Sequence, residues 1–264
     1  MAAPKAIDLN YRVDGPAGAP VLVLSHALGL SLAMWDPQVA RLSKDLRVLR
    51  YDHRGHGGSP VQPRPYTIEK LGRDVVNLLD RLGLDRVSFC GLSLGGMVGM
   101  WVAANAPDRI DRLVLCCTAA RMPRPDDFAA RARTVREHGI EPIADTLIGR
   151  WFTRRFRVHH PSTVARIRDV LLSTPREGYA GACEAIAQMD LREDLPRIKA
   201  PTLVIGAEQD QSTPPEKSRE IAEGISGAVL VVIPDAAHIA NVEQPEAVSN
   251  QILDHLMEVR HEPR

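Results

Sequence analysis

A serine flanked by glycines is the strongest candidate for covalent chemistry in this chain of 264 residues. Ser93 stands in Gly91-Leu-Ser-Leu-Gly95, which fits the pattern G-x-S-x-G, and it lies between an apolar run and a helical stretch. That position is typical of a nucleophilic serine on a sharp strand–turn–helix corner, where glycines avoid clashes because they lack a Cβ atom. The bare pattern also occurs by chance, and the serine would then only cap the helix. The context favours Ser93 as a nucleophile.

A serine hydroxyl is a weak nucleophile until a general base takes its proton. Among the nine histidines, His238 follows the last predicted strand, at the end of the sheet where open α/β folds bind ligands. The loop after the preceding strand supplies two acids, Glu208 and Asp210, and the later position favours Asp210. The order serine, acid, histidine is the one that accompanies this serine motif. We therefore predict His238 as the base and Asp210 as the acid that orients its imidazole.

Six of the other histidines are predicted to be structural or solvated. His53 and His56 lie in a loop rich in turn residues, so we expect them to shape that loop. Exposed positions are expected for the histidines of the middle segment, the terminal helix and the tail: His159, His160, His255 and His261.

Acyl transfer also needs donors for the oxyanion that forms on the attacked carbonyl. One donor usually follows the nucleophile, and a second comes from the loop after an early strand. Ser25-His26-Ala27-Leu28-Gly29 occupies that loop. We predict the backbone amides of Leu28 and Leu94 as the two donors, since both side chains are apolar.

Short apolar runs alternate with amphipathic stretches in the first half of the chain and again near its end. Helical spacing of apolar residues spans 67–82 and 94–105. Strands are predicted at 21–25, 46–51, 86–90, 109–116, 201–206 and 228–233. Alternation of this kind predicts an α/β fold with a mostly parallel sheet flanked by helices.

The pattern changes between residues 119 and 199, where strand-like runs vanish and arginines and prolines cluster. Helical periodicity there covers 128–138, 143–153, 162–173 and 178–188. We predict a helical cap at 119–199 inserted into a core formed by 1–118 and 200–264.

Composition excludes several classes of protein. Lys+Arg and Asp+Glu both number 33, so the chain lacks the basic excess of a general nucleic-acid binder. Aromatic residues make up 4%, too few for base-stacking platforms. The four cysteines form no CxxC pair, so we expect reduced, mostly buried thiols and neither a metal site nor a disulfide framework. No dinucleotide or phosphate loop appears, and no cofactor is expected.

The N-terminal ten residues lack the pattern of a signal peptide, and no apolar run approaches the ~18 residues of a membrane span. A cytoplasmic location without membrane contact is therefore expected. A homo-oligomer remains open.

Taken together, these landmarks resemble the α/β-hydrolase superfamily. A closer similarity, to the 3-oxoadipate enol-lactonases of the bacterial β-ketoadipate pathway, lies in core stretches 9–15, 34–37, 49–52, 65–68, 89–97 and 112–120, and in cap stretches 150–153, 177–180 and 183–186. Two departures affect the loop shape: Ala27 stands where glycine is common and Leu94 where methionine is frequent. Neither departure removes a backbone donor.

The resemblance implies hydrolysis of 3-oxoadipate enol-lactone, a small anionic lactone, to 3-oxoadipate through an acyl-enzyme. Residues 119–160 carry nine arginines against five acids, a local excess that can attract an anion. Similarity to the family points to Arg131 as the anchor of the substrate carboxylate and to Trp151 as a residue that shapes the pocket.

Two alternative functions stay open. One is a general carboxylesterase or a hydrolase of another lactone or a carbon–carbon bond, and the other is a non-catalytic receptor of the same fold.

Overall fold

The computed structural model describes residues 7–257, and these form a twisted sheet of seven strands flanked by helices. The strand order is β1-β3-β2-β4-β5-β6-β7, in which only the β1–β3 pair is antiparallel. The bounds are β1 Tyr11–Asp14, β2 Val21–Ser25, β3 Arg47–Tyr51, β4 Val87–Leu92, β5 Ile110–Cys116, β6 Thr202–Ala207 and β7 Val229–Ile233. The predicted α/β-hydrolase fold class is confirmed.

Helices connect the strands and cover the sheet. Before β5 they are α1 Asp36–Leu42, α2 Ile68–Arg81 and α3 Leu94–Asn105. Between β5 and β6 they are α4 Pro125–His138, α5 Glu141–Trp151, α6 Arg154–His159, α7 Pro161–Ser173 and α8 Arg176–Gln188. After β6 they are α9 Pro215–Gly224, α10 Ala240–Glu243 and α11 Pro245–Met257. Three short 3-10 turns cover Leu32–Trp35, Pro107–Arg109 and Leu195–Arg197.

The central strands are apolar because both of their faces are covered. Every residue of β6 is buried, and β2 and β4 are buried except for one residue each. Helix α3 is likewise buried almost all round, as a helix without a polar face must be. Helix α2 shows the expected single apolar stripe, and its N-cap Thr67 accepts a hydrogen bond from the Lys70 amide at 3.1 Å. The predicted element types along this core are confirmed.

Several elements escaped the sequence analysis, among them β1, α1, α6 and α10. Strand β1 is an edge strand whose residues are largely exposed, so it lacks the apolar run that marks its neighbours. Helix α6 has six residues and none of them is buried. It follows α5 after a break at Phe152, whose backbone is extended, and the predicted helix 143–153 ran across that break.

The segment between β5 and β6 returns close to where it leaves the core. The Leu191 amide donates to the Ala120 carbonyl at 2.8 Å, and Arg121 and Asp190 form an ion pair at 3.6 Å. Residues 195–197 then pack on α3 and α9. The predicted division at 119 and 199 stays a prediction, and its outer bounds, residues 1–6 and 258–264, lie outside the described residues together with His261.

Two sequence-based expectations concern the thiols and the membrane. All four cysteines are free and buried, so the expected burial is confirmed, and their reduced state stays a prediction. Within residues 7–257, no helix combines the length and the apolar character needed to cross a bilayer.

Candidate active site

The loops that follow β2, β4, β5, β6 and β7 carry the candidate residues. In a parallel sheet these carboxyl ends meet at one edge, which is the usual place for a ligand. Strand β2 pairs with β4 so that Ser25 lies opposite Gly91. The loop beginning at His26 therefore starts beside the turn that carries Ser93.

Ser93 has a strained backbone conformation, with φ 56° and ψ −116°. A non-glycine residue in such a region costs on the order of 1–3 kcal/mol and needs support from its surroundings. That support is visible on both sides of the residue. Its amide donates to the Cys116 carbonyl at 3.0 Å, and its own carbonyl accepts from Thr118 Oγ1 at 2.7 Å. The turn thus holds the hydroxyl above the sheet, as the motif predicted.

The glycines around Ser93 are required by close backbone approach. A Cβ atom on Gly91 would collide with the Gly95 carbonyl, and a Cβ on Gly95 would collide with the Ser25 carbonyl. The second contact also fixes the start of α3 against the end of β2. The G-x-S-x-G pattern is therefore explained by sterics at this corner.

His238 and Asp210 are brought together as the sequence predicted. His238 Nδ1 lies 2.8 Å from Asp210 Oδ2, and both side chains are buried. Asp210 also accepts from the amides of Ser212 and Thr213, at 2.7 and 2.9 Å. Such donors stabilise the ionised carboxylate. The alternative acid, Glu208, instead accepts from the Asp235 amide at 3.0 Å.

Ser93 and His238 both line one cavity of about 140 Å³ between the sheet edge and the cap helices. Ser93 Oγ forms no hydrogen bond within residues 7–257. Ligand-free active sites often hold such pairs loosely until a substrate binds. The structure therefore places Ser93 and His238 around a common space, with Asp210 in contact with the ring nitrogen Nδ1 of His238.

The predicted oxyanion donors are free to bind a ligand. Neither the Leu28 amide nor the Leu94 amide has a hydrogen-bond acceptor in the described part of the chain. Leu28 lines the cavity, whereas the Leu94 side chain is buried in the core. For Leu94 an unpaired amide is expected, because it is the first residue of α3 and follows the candidate nucleophile directly, whereas Leu28 lies in the loop after β2.

Three arginines line the cavity, and they differ in their partners. Arg124 pairs with Asp127 at 3.0 Å. Arg131 is partly buried and stacks over the Phe128 ring, 4.6 Å from its centroid. Within residues 7–257, neither Arg131 nor the exposed Arg150 has an ion-pair partner. The buried Trp151 supplies apolar wall to the same cavity.

Three buried histidines support the loop after β2. The His53 amide donates to His26 Nε2 at 3.1 Å, and His53 Nε2 lies 3.1 Å from the His26 carbonyl. Burial lowers the pKa of all three rings, that of His56 to about 3. These histidines are thus neutral, and the loop-shaping role expected of His53 and His56 agrees with their contacts. His159 and His160 are exposed as expected.

Several residues at the site were missed by the sequence analysis. Thr118 supports the Ser93 turn, and Thr213 Oγ1 donates to Asp210 Oδ2 at 2.9 Å. Glu243 accepts from the Ala237 amide at 2.9 Å and from the hydroxyl of Thr153 in the cap. Their only sequence signal was proximity to the candidate loops. Within the described residues, no group of three or more His, Cys, Asp or Glu is arranged to hold a metal.

Comparison with known proteins defines the class. Residues 20–245 match the family model of the alpha/beta hydrolase fold, and the chain belongs to this family. It is similar to 3-oxoadipate enol-lactonase 2 of Acinetobacter baylyi, with 41% identity over 93% of this chain and 92% of the relative. The crystal structure of the enol-lactonase from Burkholderia xenovorans LB400 has a TM-score of 0.94 at 47% identity, covering 96% of this chain and 99% of that one.

These similarities make the chain an ester-cleaving hydrolase. A protein of Stutzerimonas stutzeri named for carbamate hydrolysis is also similar, with 32% identity over 95% of this chain and 97% of the relative. The family and the enzyme class are therefore settled, while the substrate is a separate question.

Proposed function

We propose that this enzyme hydrolyses 3-oxoadipate enol-lactone to 3-oxoadipate in bacterial aromatic catabolism, using Ser93, His238 and Asp210. The observation that carries the proposal is the 2.8 Å contact of His238 with Asp210 beside a cavity that Ser93 also lines. The lactonase names of the similar proteins support the choice of substrate.

Acylation begins when His238 Nε2 takes the proton of Ser93 Oγ, which attacks the lactone carbonyl. The amides of Leu28 and Leu94 hold the resulting oxyanion. When the tetrahedral intermediate collapses, the ring C–O bond breaks and the enol oxygen takes the proton back from His238. The enol stays attached to the acyl group and becomes a ketone.

Deacylation repeats the sequence with water. His238 removes a proton from water, the hydroxide attacks the acyl carbonyl, and Ser93 leaves with the proton of the imidazolium. Asp210 remains ionised and stabilises the cation on His238 throughout.

Substrate recognition is assigned to the cap. Arg131 presents a guanidinium without an acidic partner in the described residues to the cavity, and a carboxylate is the natural ligand of such a group. Trp151 would pack on the apolar part of the lactone. The substrate is thus a small anion, and neither nucleic acid nor membrane takes part.

The test follows the ultraviolet absorbance of enzymatically generated 3-oxoadipate enol-lactone, with a nitrophenyl ester and an alkyl carbamate as comparison substrates. We expect rapid lactone hydrolysis that exceeds turnover of both comparison substrates and is abolished in Ser93→Ala. Turnover of the ester or the carbamate without lactone turnover would keep the serine mechanism and overturn the substrate. Absence of all three activities in folded protein would favour a non-catalytic receptor.

A further inference from the structure

Tyr179 on α8 carries a buried hydroxyl for which residues 7–257 provide no hydrogen-bond acceptor, and the Arg131 guanidinium, itself only a donor, lies close to it. The side chain is fully buried and lines the cavity that contains Ser93 and His238. Buried hydroxyls in folded proteins nearly always find a partner, because an unsatisfied donor costs free energy. An unsatisfied hydroxyl on the wall of an active-site cavity indicates that a ligand atom completes it.

The surroundings of Tyr179 define the charge of that ligand. Burial raises the pKa of the Tyr179 hydroxyl, and the nearby Arg131 guanidinium acts in the opposite direction. The hydroxyl is therefore protonated at neutral pH and can donate. One cation and one neutral donor thus stand together on this wall, and neither contacts a carboxylate in the described residues. An anion satisfies both.

Packing fixes the position of the Tyr179 ring. The ring lies against Gly29, where even a Cβ atom would come within 2.7 Å of Tyr179 Cε2. Gly29 belongs to the same loop as Leu28, the predicted oxyanion donor. The hydroxyl is thereby held by the core loop on one side and by α8 on the other. A fixed donor of this kind can set the orientation of a ligand.

We propose that the Tyr179 hydroxyl and the Arg131 guanidinium together bind the carboxylate of the substrate's acetate arm, which makes Tyr179 a specificity-determining residue. This inference rests on the proposed function, since it assumes a substrate with one ester carbonyl and one carboxylate. Two donors match the two carboxylate oxygens, and the low dielectric of the cavity strengthens both bonds. The enzyme then selects lactones with a carboxylate arm over neutral esters.

The first experiment compares Tyr179→Phe with wild type on the enol-lactone and on a neutral nitrophenyl ester. Loss of a hydrogen bond to a charged group weakens the binding of that group about tenfold or more. We expect the ratio of kcat/KM for the lactone to that for the ester to fall by about tenfold, mainly through KM. Tyr66→Phe is the matched control, because Tyr66 is also fully buried but its hydroxyl accepts from the Gln62 amide outside the cavity. That control should leave the ratio unchanged.

A double-mutant cycle tests whether Tyr179 and Arg131 act on the same carboxylate. Arg131→Gln is combined with Tyr179→Phe, and the two effects on the lactone should be non-additive because both residues share one ligand group. Additive effects, or an unchanged lactone-to-ester ratio in Tyr179→Phe, would overturn the proposal. Thermal unfolding of each variant shows whether the fold is retained.

A third arm separates this proposal from the choice of substrate. Hexanoate should inhibit ester hydrolysis by the wild type more strongly than hexanol does, and Tyr179→Phe should weaken the hexanoate inhibition by about tenfold. If the lactone is not hydrolysed but this difference is found, the substrate assignment fails while the anion subsite stands. Equal inhibition of wild type and variant by hexanoate would overturn the subsite.

Discussion

At the scale of single residues, the geometry of the active site depends on a few side chains and backbone amides that are held by specific hydrogen bonds. Asp210 illustrates this dependence: its Oδ1 accepts from the amides of Ser212 and Thr213, while its Oδ2 accepts from the Thr213 hydroxyl and contacts His238. The sequence contained two acids in that loop, and only the folded chain shows that Glu208 turns to Asp235 instead. The order of motifs along the chain was therefore sufficient to find the loop and to favour Asp210, and the geometry shows which partner the other acid takes instead.

Asp210→Asn should lower kcat by about 10⁴-fold, because an amide favours the wrong tautomer of the histidine. Glu208→Gln, two residues away, is the matched control and should keep activity close to that of wild type. Both variants are measured with the neutral nitrophenyl ester so that cap contacts with a carboxylate play no part. Similar losses in the two variants would contradict the assignment of Asp210.

Gly95→Ala should destabilise the protein by about 1–3 kcal/mol, since the new methyl would overlap the Ser25 carbonyl and backbone must move. Activity should fall as well, because that movement displaces the first turn of α3.

Gly149→Ala in α5 is the control variant. Nothing lies within 4 Å of the added methyl there, so a gain of about 0.5–1 kcal/mol is expected. Urea unfolding measures both, and a neutral Gly95→Ala would refute the steric account.

At the scale of elements, the cap is tied to the loop that carries His238. The Ile239 amide donates to the Trp151 carbonyl at 3.1 Å. Glu243 joins the Thr153 hydroxyl to the Ala237 amide. Periodicity predicts a helix at 143–153, on one side of this contact, but it contains no information about which buried acid bridges two segments 90 residues apart. Long-range polar contacts of this type are the part of the site that the sequence could not supply.

Glu243→Gln should destabilise the protein by about 2 kcal/mol, because a charged acceptor is replaced and one donor is left facing an NH₂ group. The kcat value should fall too, since the backbone next to His238 loses its support at Ala237. Glu246→Gln, on the exposed surface of α11, is the control and should be neutral. Urea unfolding and ester hydrolysis are measured on the same samples. An active, fully stable Glu243→Gln enzyme would argue against the bridging role.

At the scale of the whole molecule, the core holds three neutral histidines beneath the active-site loops. The folded protein keeps the pKa of His26, His53 and His56 lowered, while the unfolded chain binds protons with a pKa near 6.5. The unfolded state therefore holds more protons below about pH 6.5, and stability falls with falling pH. Above about pH 6.5 the histidines are neutral in both states, and this proton-linked loss of stability is absent.

The free energy of unfolding should fall by up to about 1.4 kcal/mol per pH unit for each of these histidines as pH drops from 6 toward 4. His56→Asn should reduce the slope, because one of the three groups is removed. His138→Asn, at an exposed position, should leave the slope as it is. Urea unfolding at several pH values measures this dependence. A stability that is flat between pH 7 and 4.5 would contradict the neutral assignment.

The two ends of the cap segment meet, since Leu191 is hydrogen-bonded to Ala120 and Arg121 faces Asp190. The segment therefore leaves and re-enters the core at adjacent points, and added length between them costs little, because the entropy of loop closure grows slowly with length. Residues 121–190 supply part of the cavity wall, whereas Ser93 and His238 stand on loops that follow strands of the sheet. We therefore expect substitutions on the cavity-facing side of this segment to alter which esters fit the cavity while the reacting groups keep their places.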